Sequence, residues 1–208
     1  LLTVRGASKR STENGTETLK TFKIGAINFK NTFATNGDLV GLKEQIDNFG
    51  GVLGRPIINR VNWLIDNPNK TVQISNQDLS GNGFSDIPLI PSSKGAPYTM
   101  IELGGDEYKV IIDLGSIAQL NVPKDHELAD LLLDNYAFED ESRDRYTVGG
   151  LQTIIQQVAT IPSIKIGDVI FENVHVAINE SSQLRIGMNL FKNRVLYIDN
   201  VNKRYQVK

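Results

Sequence analysis

Short apolar runs broken by Gly, Pro and Asn dominate the chain. Thr21–Phe33, Trp63–Ile65 with Thr71–Ile74, Thr99–Leu103, Lys109–Asp113, Ser163–Ile178 and Val195–Val207 read as strands. Phe171, Val174, Val176 and Ile178 mark an alternating face. Asn67–Lys70 (NPNK) and Asn200–Lys203 (NVNK) read as hairpin turns. Helical periodicity is sparse. Pro123-Lys124-Asp125 ahead of His126–Asn135 predicts one helix of three turns or fewer. The Gly-, Ser- and Pro-rich stretch Asn76–Pro97 reads as a linker. Glu139–Arg145 (EDESRDR) reads as a solvated loop, without the Asp-x-Asp-x-Asp-Gly spacing of a calcium site.

The pattern repeats. Gly54–Ile74 reappears without gaps as Gly187–Val207, at an offset of 187 − 54 = 133, with seven identical positions. Among them are Ile65/Ile198, Asp66/Asp199, Asn67/Asn200, Asn69/Asn202, Lys70/Lys203 and Gln73/Gln206. Upstream, Lys23-Ile24-Gly25 with Phe29 and Asn31 recurs as Lys165-Ile166-Gly167 with Phe171 and Asn173, at 165 − 23 = 142. The difference, 142 − 133 = 9 residues, fits a loop insertion within Asn36–Gly50 of the first copy. Two copies of one mostly β unit are expected, residues 1–75 and 98–208, joined by residues 76–97.

Composition narrows the function classes. The 208 residues are 40% apolar and 22% charged, as in a globular chain. A net charge of −2 gives no electrostatic reason to expect nucleic acid or an acidic membrane surface. No apolar run approaches the roughly 20 residues of a membrane span. With no cysteine, disulfide and thiolate chemistry is excluded. No signal peptide is recognised, and the first residue is not Met, so a trimmed piece of a longer protein is expected. The two histidines, His126 and His175, do not form a metal pair or a Ser-His-Asp set. No metal and no cofactor is expected.

The chemistry concentrates in the second copy. Tyr108–Ser116 (YKVIIDLGS) runs a buried strand into Asp113-Leu114-Gly115-Ser116, where Gly115 allows close backbone approach. Tyr146–Leu151 (YTVGGL) offers a Gly-tipped segment, Val148-Gly149-Gly150, able to fold over a cleft. Leu184–Asn189 (LRIGMN) follows, with Gly187 after an apolar residue. The first copy has the same closing motif in Gly51–Arg55 (GVLGR), centred on Gly54. Thr3-Val4-Arg5-Gly6 aligns with Thr147-Val148-Gly149-Gly150 as the end of a first flap.

This order resembles the aspartic peptidases of the retropepsin and pepsin type: a catalytic Asp strand, a flap, then apolar-apolar-Gly. The Ile-Asp-x-x-Asn-Lys tails, Ile65–Lys70 and Ile198–Lys203, resemble those of bacterial two-lobe members. The resemblance covers nearly the whole chain. It implies an all-β, two-lobed barrel fold with a pseudo-twofold axis. It implies Asp113 as a catalytic residue, Leu114, Gly115 and Ser116 as the active-site loop, and Val148, Gly149, Gly150, Val4, Arg5 and Gly6 as flaps over an extended peptide. Gly54 and Gly187 would support the site. A secreted or periplasmic location is implied by resemblance alone. Two facing aspartates would share a proton and activate a water.

Only one such aspartate is present. The 34 residues from Asp113 to Thr147 put its first-copy mate about 31 residues before Leu1 (3 − 34 = −31). It would lie upstream or on a separate chain. Asp78-Leu79-Ser80-Gly81 is no substitute, having the wrong spacing and no preceding apolar strand. Leu114 and Arg185 also depart from the family, which prefers Ser or Thr at the first position and an apolar residue at the second. Asp113 therefore has two readings, a catalytic carboxylate or an Asx turn that caps its own backbone. The chain has matching readings: a peptide hydrolase, or a non-catalytic module that binds extended peptides. Pairing of two Asp113 residues across a self-dimer ranks last.

Overall fold

In the computed structural model, residues 1–5, 11–37, 39–93, 95–147 and 150–208 are described. The chain is all-β in class, and the described residues form two compact units. One comprises Leu1–Val61 with Arg143–Ile154, the other Asn62–Ser142 with Ile155–Lys208.

The first unit holds a three-stranded sheet of β1 (Leu2–Arg5), β2 (Ser11–Ile24) and β3 (Ile27–Asn36). The Thr21–Phe33 run is thus a hairpin. Ile24 pairs with Ile27 around a two-residue loop, and Gly25 supplies the positive φ of 55° that the loop requires. Two short helices follow, α1 (Val40–Gln45) and α2 (Arg55–Ile58). Pro sits in the first turn of α2, where its missing N–H costs nothing. Arg60 fastens this end of the helix to β3, donating to the Lys30 carbonyl at 2.8 Å.

The second unit opens with the β4 (Asn62–Asp66) and β5 (Thr71–Ser75) hairpin. It continues through β6 (Ser85–Ile87), β7 (Tyr98–Leu103), β8 (Asp106–Asp113), β9 (Leu120–Pro123) and α3 (Glu127–Asn135). Strand β10 (Glu139–Thr147) and the long β11 (Gly150–Ile166) run through both units. Strand β12 (Val169–Asn179), β13 (Arg185–Gly187), a 3-10 turn at Met188–Phe191, and the β14 (Val195–Asp199) and β15 (Arg204–Val207) hairpin complete it.

Six of these strands close into a barrel in the order β7-β8-β13-β9-β12-β11, and Lys165 of β11 pairs with Glu102 of β7 to seal it. Closure leaves no free edge within that ring. Its interior is aliphatic: Ile101, Val110, Leu120, Val122, Ile161, Ile166, Val174, Val176 and Ile186 are fully buried. The predicted helix forms as α3. The His126 imidazole accepts from the Leu128 N–H at 3.1 Å as its cap, and Leu128 and Leu132 are buried.

Beside the barrel lies a five-stranded sheet, β5-β4-β14-β15-β6. Its central pair is antiparallel and sets Leu64 opposite Tyr197. These two residues are 197 − 64 = 133 apart, the offset of the repeated segment. Other backbone features recur at the same offsets. Lys70 and Lys203 have φ of 54° and 55°, Asn31 and Asn173 have 49° and 51°, and Gly25 and Gly167 have 55° and 56°. Asn31 and Asn173 each shift the strand's alternation by one. Phe29 and Thr32 therefore both point inward in β3, as do Phe171 and Val174 in β12.

Two segments differ from expectation. Glu139–Arg145 is an edge strand rather than a loop. Glu139, Asp140 and Asp144 are exposed, and β11 supplies the backbone partners that local composition does not reveal. Within Asn76–Pro97, Ser85–Ile87 forms β6 and pairs with β15. Three residues between turn formers carry no periodicity of their own, so this strand is fixed by its partner.

Candidate functional site

Asp113 is the last residue of β8, where alternation turns Tyr108, Val110 and Ile112 inward. The chain then makes a tight turn. The Ser116 N–H donates to the Asp113 carbonyl at 3.0 Å, and the Gly115 N–H donates to Asp113 Oδ1 at 3.1 Å. This second bond is the Asx cap.

Strand β13 lies parallel to β8, with Arg185 beside Ile111, Ile186 beside Ile112 and Gly187 beside Asp113. Gly187 is extended, so its φ does not demand glycine. Close approach does. A Cβ there would lie 2.4 Å from the Ser116 carbonyl oxygen and 2.6 Å from that of Ala118. The loop after Asp113 is held in the space a side chain would fill. The Met188 N–H donates to the Ser116 carbonyl at 2.8 Å, and the Gly187 N–H to that of Gln119 at 3.3 Å. Ser116 is buried, and its Oγ accepts from the Ala118 N–H at 3.3 Å. Leu114 is half-buried and Gly115 exposed.

Arg185 completes the arrangement. Its Nη1 donates to Asp113 Oδ2 at 3.0 Å as an ion pair, with the Arg side chain 9% exposed and the Asp side chain 34%. Its Nε is buried without a partner. The Asp113 carboxylate therefore has one oxygen on a backbone N–H and the other on a guanidinium. The sequence marks Arg185 as a charged residue where an apolar one is expected, but not its partner.

The structure thus brings together Asp113, Leu114, Gly115, Ser116 and Gly187. Gly54, Val4, Arg5 and Gly150 belong to the other compact unit. Gly54 precedes α2 as Gly187 precedes the 3-10 turn, again 188 − 55 = 133 apart. Among the described residues, a Cβ on Gly54 would meet only Pro56 Cδ, at 3.5 Å. Val4 and Arg5 pair with Thr12 and Ser11 in the β1–β2 ladder. Gly150 opens β11, while Val148, Gly149 and Gly6 lie outside the described residues.

Two polar clusters were not anticipated. Asn62, nearly fully buried, donates to the Gln77 carbonyl at 3.0 Å and the Tyr197 hydroxyl at 3.2 Å, and accepts from the Asn200 N–H at 2.8 Å. The Tyr197 hydroxyl in turn donates to Asp78 Oδ1 at 3.0 Å, so Asp78 serves this cluster. Asn179 donates to Asn121 Oδ1 at 2.8 Å and Gln156 Oε1 at 3.2 Å, all three being buried. The sequence gives no periodic signal for either set, because the partners are distant along the chain. The repeated turns are plainer. The Asn69 and Asn202 N–H groups donate to Asp66 Oδ1 and Asp199 Oδ1, each at 3.0 Å. Burial pushes the Asp199 carboxyl up, but hydrogen bonds from Asn202 and Arg204 outweigh it and hold the group below its usual range. Among the described residues no group of three or more His, Cys, Asp or Glu is placed to hold a metal. Among the described residues no helix is long and apolar enough to cross a membrane.

No protein-family model matches the chain, and no curated protein matches it. Among solved structures, the chain is similar to a retropepsin-like aspartic protease from Rickettsia conorii. The match has 15% identity and a TM-score of 0.42, over 60% of this chain and 90% of that one.

Proposed function

We propose that this chain is an aspartic-type peptide hydrolase, or the larger part of one, acting on extended peptides. The observation that carries this reading is the seating of Asp113. A carboxylate ends a buried strand, and its loop is pressed onto Gly187 by backbone hydrogen bonds. Such a seat fixes the carboxylate before substrate arrives. A second aspartate, supplied upstream or by a separate chain, would share one proton with Asp113. The ionised member takes a proton from water as the water attacks the peptide carbonyl. The other protonates the carbonyl oxygen, and the amine leaves after it is protonated. The open surroundings of Gly54 fit a second loop there, equivalent to Ser116–Ala118 against Gly187.

A second reading rests on Arg185. A guanidinium donates to Asp113 Oδ2 and so competes for the carboxylate that would share a proton. Asp113 would then be a structural turn residue, in a module that holds extended peptides by strand-like hydrogen bonds without cutting them.

The test is intact mass of the purified protein under denaturing conditions, then digestion of an unfolded protein from about pH 3 to pH 7, the range in which aspartate pairs titrate. The peptidase reading expects a companion species carrying Asp-x-Gly, new substrate termini, and loss of cleavage in Asp113→Asn or with a pepstatin-type inhibitor. Peptide binding without new termini at any pH would leave the binding module standing and remove the hydrolase.

A further inference from the structure

We infer that the open edge of β5 is a strand-docking site for an extended peptide carrying an acidic residue followed by an aliphatic one. The inference does not rest on Asp113 or on peptide hydrolysis.

It follows from comparing the second strands of the two hairpins in the five-stranded sheet. Strands β5 and β15 occupy the same places in their hairpins, with Gln73 opposite Leu64 and Gln206 opposite Tyr197. On β15 the outer edge is covered. Strand β6 runs antiparallel to it, pairing Ile87 with Tyr205, Asp86 with Gln206 and Ser85 with Val207. Mutual hydrogen bonds between Val195 and Lys208 at 2.9 and 3.0 Å fix the alternation. By it, Tyr205 and Val207 turn their backbone N–H and C=O toward β6, and Gln206 faces Asp86 at a closely spaced position. There the Gln206 amide donates to Asp86 Oδ1 at 2.8 Å.

Strand β5 presents the same edge uncovered. Subtracting 133 from Tyr205, Gln206 and Val207 gives Val72, Gln73 and Ile74. Tyr205 is 6% exposed, whereas Val72 is 60% exposed. Gln206 is buried, whereas Gln73, the same residue type, is exposed. Among the described residues no strand pairs with the outer side of β5. Val72 and Ile74 thus offer outward backbone groups, Gln73 offers an amide, and Val72 offers an apolar contact. An exposed edge with these groups is a template for strand addition. The β6–β15 pairing specifies the occupant: an acidic residue against Gln73, as Asp86 meets Gln206, and an aliphatic residue against Val72, as Ile87 meets Tyr205. The exposed Lys70, two residues before Val72, favours the same acidic strand.

The probe is a fluorescein-labelled peptide of Gly83–Leu89 (GFSDIPL), which contains β6, titrated with the full chain and read by anisotropy. Saturable binding is expected. Two variants should weaken it at least tenfold: Val72→Pro, which removes an outward N–H that an edge strand can lose, and Val72→Asp, which repels the acidic peptide without touching the backbone. Trp63 emission and far-UV circular dichroism confirm that each variant folds. Asp113→Asn should bind the peptide as the parent does, so loss of the peptidase reading leaves this one intact. No saturation by about 1 mM, the weak end of useful affinity, overturns the proposal. So does unchanged binding in both variants, which would mean exchange with β6 on β15. A self-association that Val72→Asp abolishes, without peptide binding, would assign the edge to a second copy instead.

Discussion

Gly187→Ala and Gly54→Ala place the same substitution in the same motif of the two repeats, yet they should behave oppositely. At Gly187 the new methyl would lie 2.4 and 2.6 Å from two carbonyl oxygens and 3.0 Å from a carbonyl carbon. All three are backbone atoms, so relief requires moving the loop rather than a flexible side chain. Displacement stretches the 2.8 Å bond from Met188 to Ser116 and the 3.3 Å bond from Gly187 to Gln119. Overpacking costs about 1–3 kcal/mol, and each weakened hydrogen bond up to about 1 kcal/mol more. Gly187→Ala should therefore destabilise its unit by about 2–4 kcal/mol. At Gly54 the methyl makes an ordinary 3.5 Å contact at a φ of −97°, which alanine adopts without strain. Reduced freedom of the unfolded chain then makes Gly54→Ala neutral or stabilising by up to about 1 kcal/mol. The assay is urea unfolding followed both by the single tryptophan, Trp63, and by far-UV circular dichroism, since the two glycines lie in different units. Equal costs for the two variants, or a midpoint unmoved in Gly187→Ala, would show that the Ser116–Ala118 loop is not held against β13.

Other perturbations test other parts of the molecule. Arg185→Met should leave stability within about 1 kcal/mol, because it removes a buried guanidinium with an unpartnered Nε, whereas Asp113→Ala strands that charge and should cost about 2–4 kcal/mol by chemical denaturation. Burial pushes the Tyr205 hydroxyl up to about 12. The unfolded state ionises first, so stability should fall between about pH 10 and pH 12 by up to about 3 kcal/mol. Tyr205→Phe should flatten that slope in pH-dependent melts without erasing it, since burial also raises Tyr197 and Tyr108. Asp199 and Asp66 are both held low, so the stability they contribute is present above the usual carboxylate range near pH 4 and lost as pH falls through their folded values. Asp199→Asn should flatten the acid limb of an unfolding series, and at neutral pH lower stability by about 1–3 kcal/mol as Arg204 loses the nearer of its two ionic partners, Asp78 at 3.5 Å being the other.

What the sequence reveals is local, and what it hides is distant. The turns at Asn67–Lys70 and Asn200–Lys203 are legible because all their determinants lie within five residues. An Asp accepts from the Asn three positions on, and the next Lys takes positive φ. Helix α3 is legible for the same reason, with His126 capping and Leu128 and Leu132 filling one face. The strand β6 is not, because its pairing with β15 spans most of the second unit. Nor are the roles of Asn62 and Asn179, each of which looks like any polar residue until its partners arrive from other strands. At the candidate site, the Asp113 turn and the position of Gly187 beside it in the motif are readable. The reason for that glycine was not, since it lies in a loop about 70 residues away rather than in its own φ.

The two functional readings meet at one atom. Asp113 Oδ1 is committed to the Gly115 N–H in either, since that bond closes the turn. Only Oδ2 distinguishes them. In a water-activating pair the carboxylate faces a second carboxyl and shares its proton, which requires that no full positive charge bind it more tightly. Here a largely buried guanidinium does so at 3.0 Å. The Arg185–Asp113 ion pair satisfies both groups, a stable arrangement for a turn residue and a competing one for a proton-sharing dyad. An arriving second aspartate must therefore either displace Arg185 from Oδ2 or share Asp113 with it. Displacement leaves a buried cation without its partner, a cost of a few kcal/mol that the new contacts must offset. Arg185→Met removes that competition while keeping the stem that packs in β13. If Asp113 is catalytic, turnover should rise in this variant. If Asp113 only closes a turn, new substrate termini should be absent with either residue at position 185.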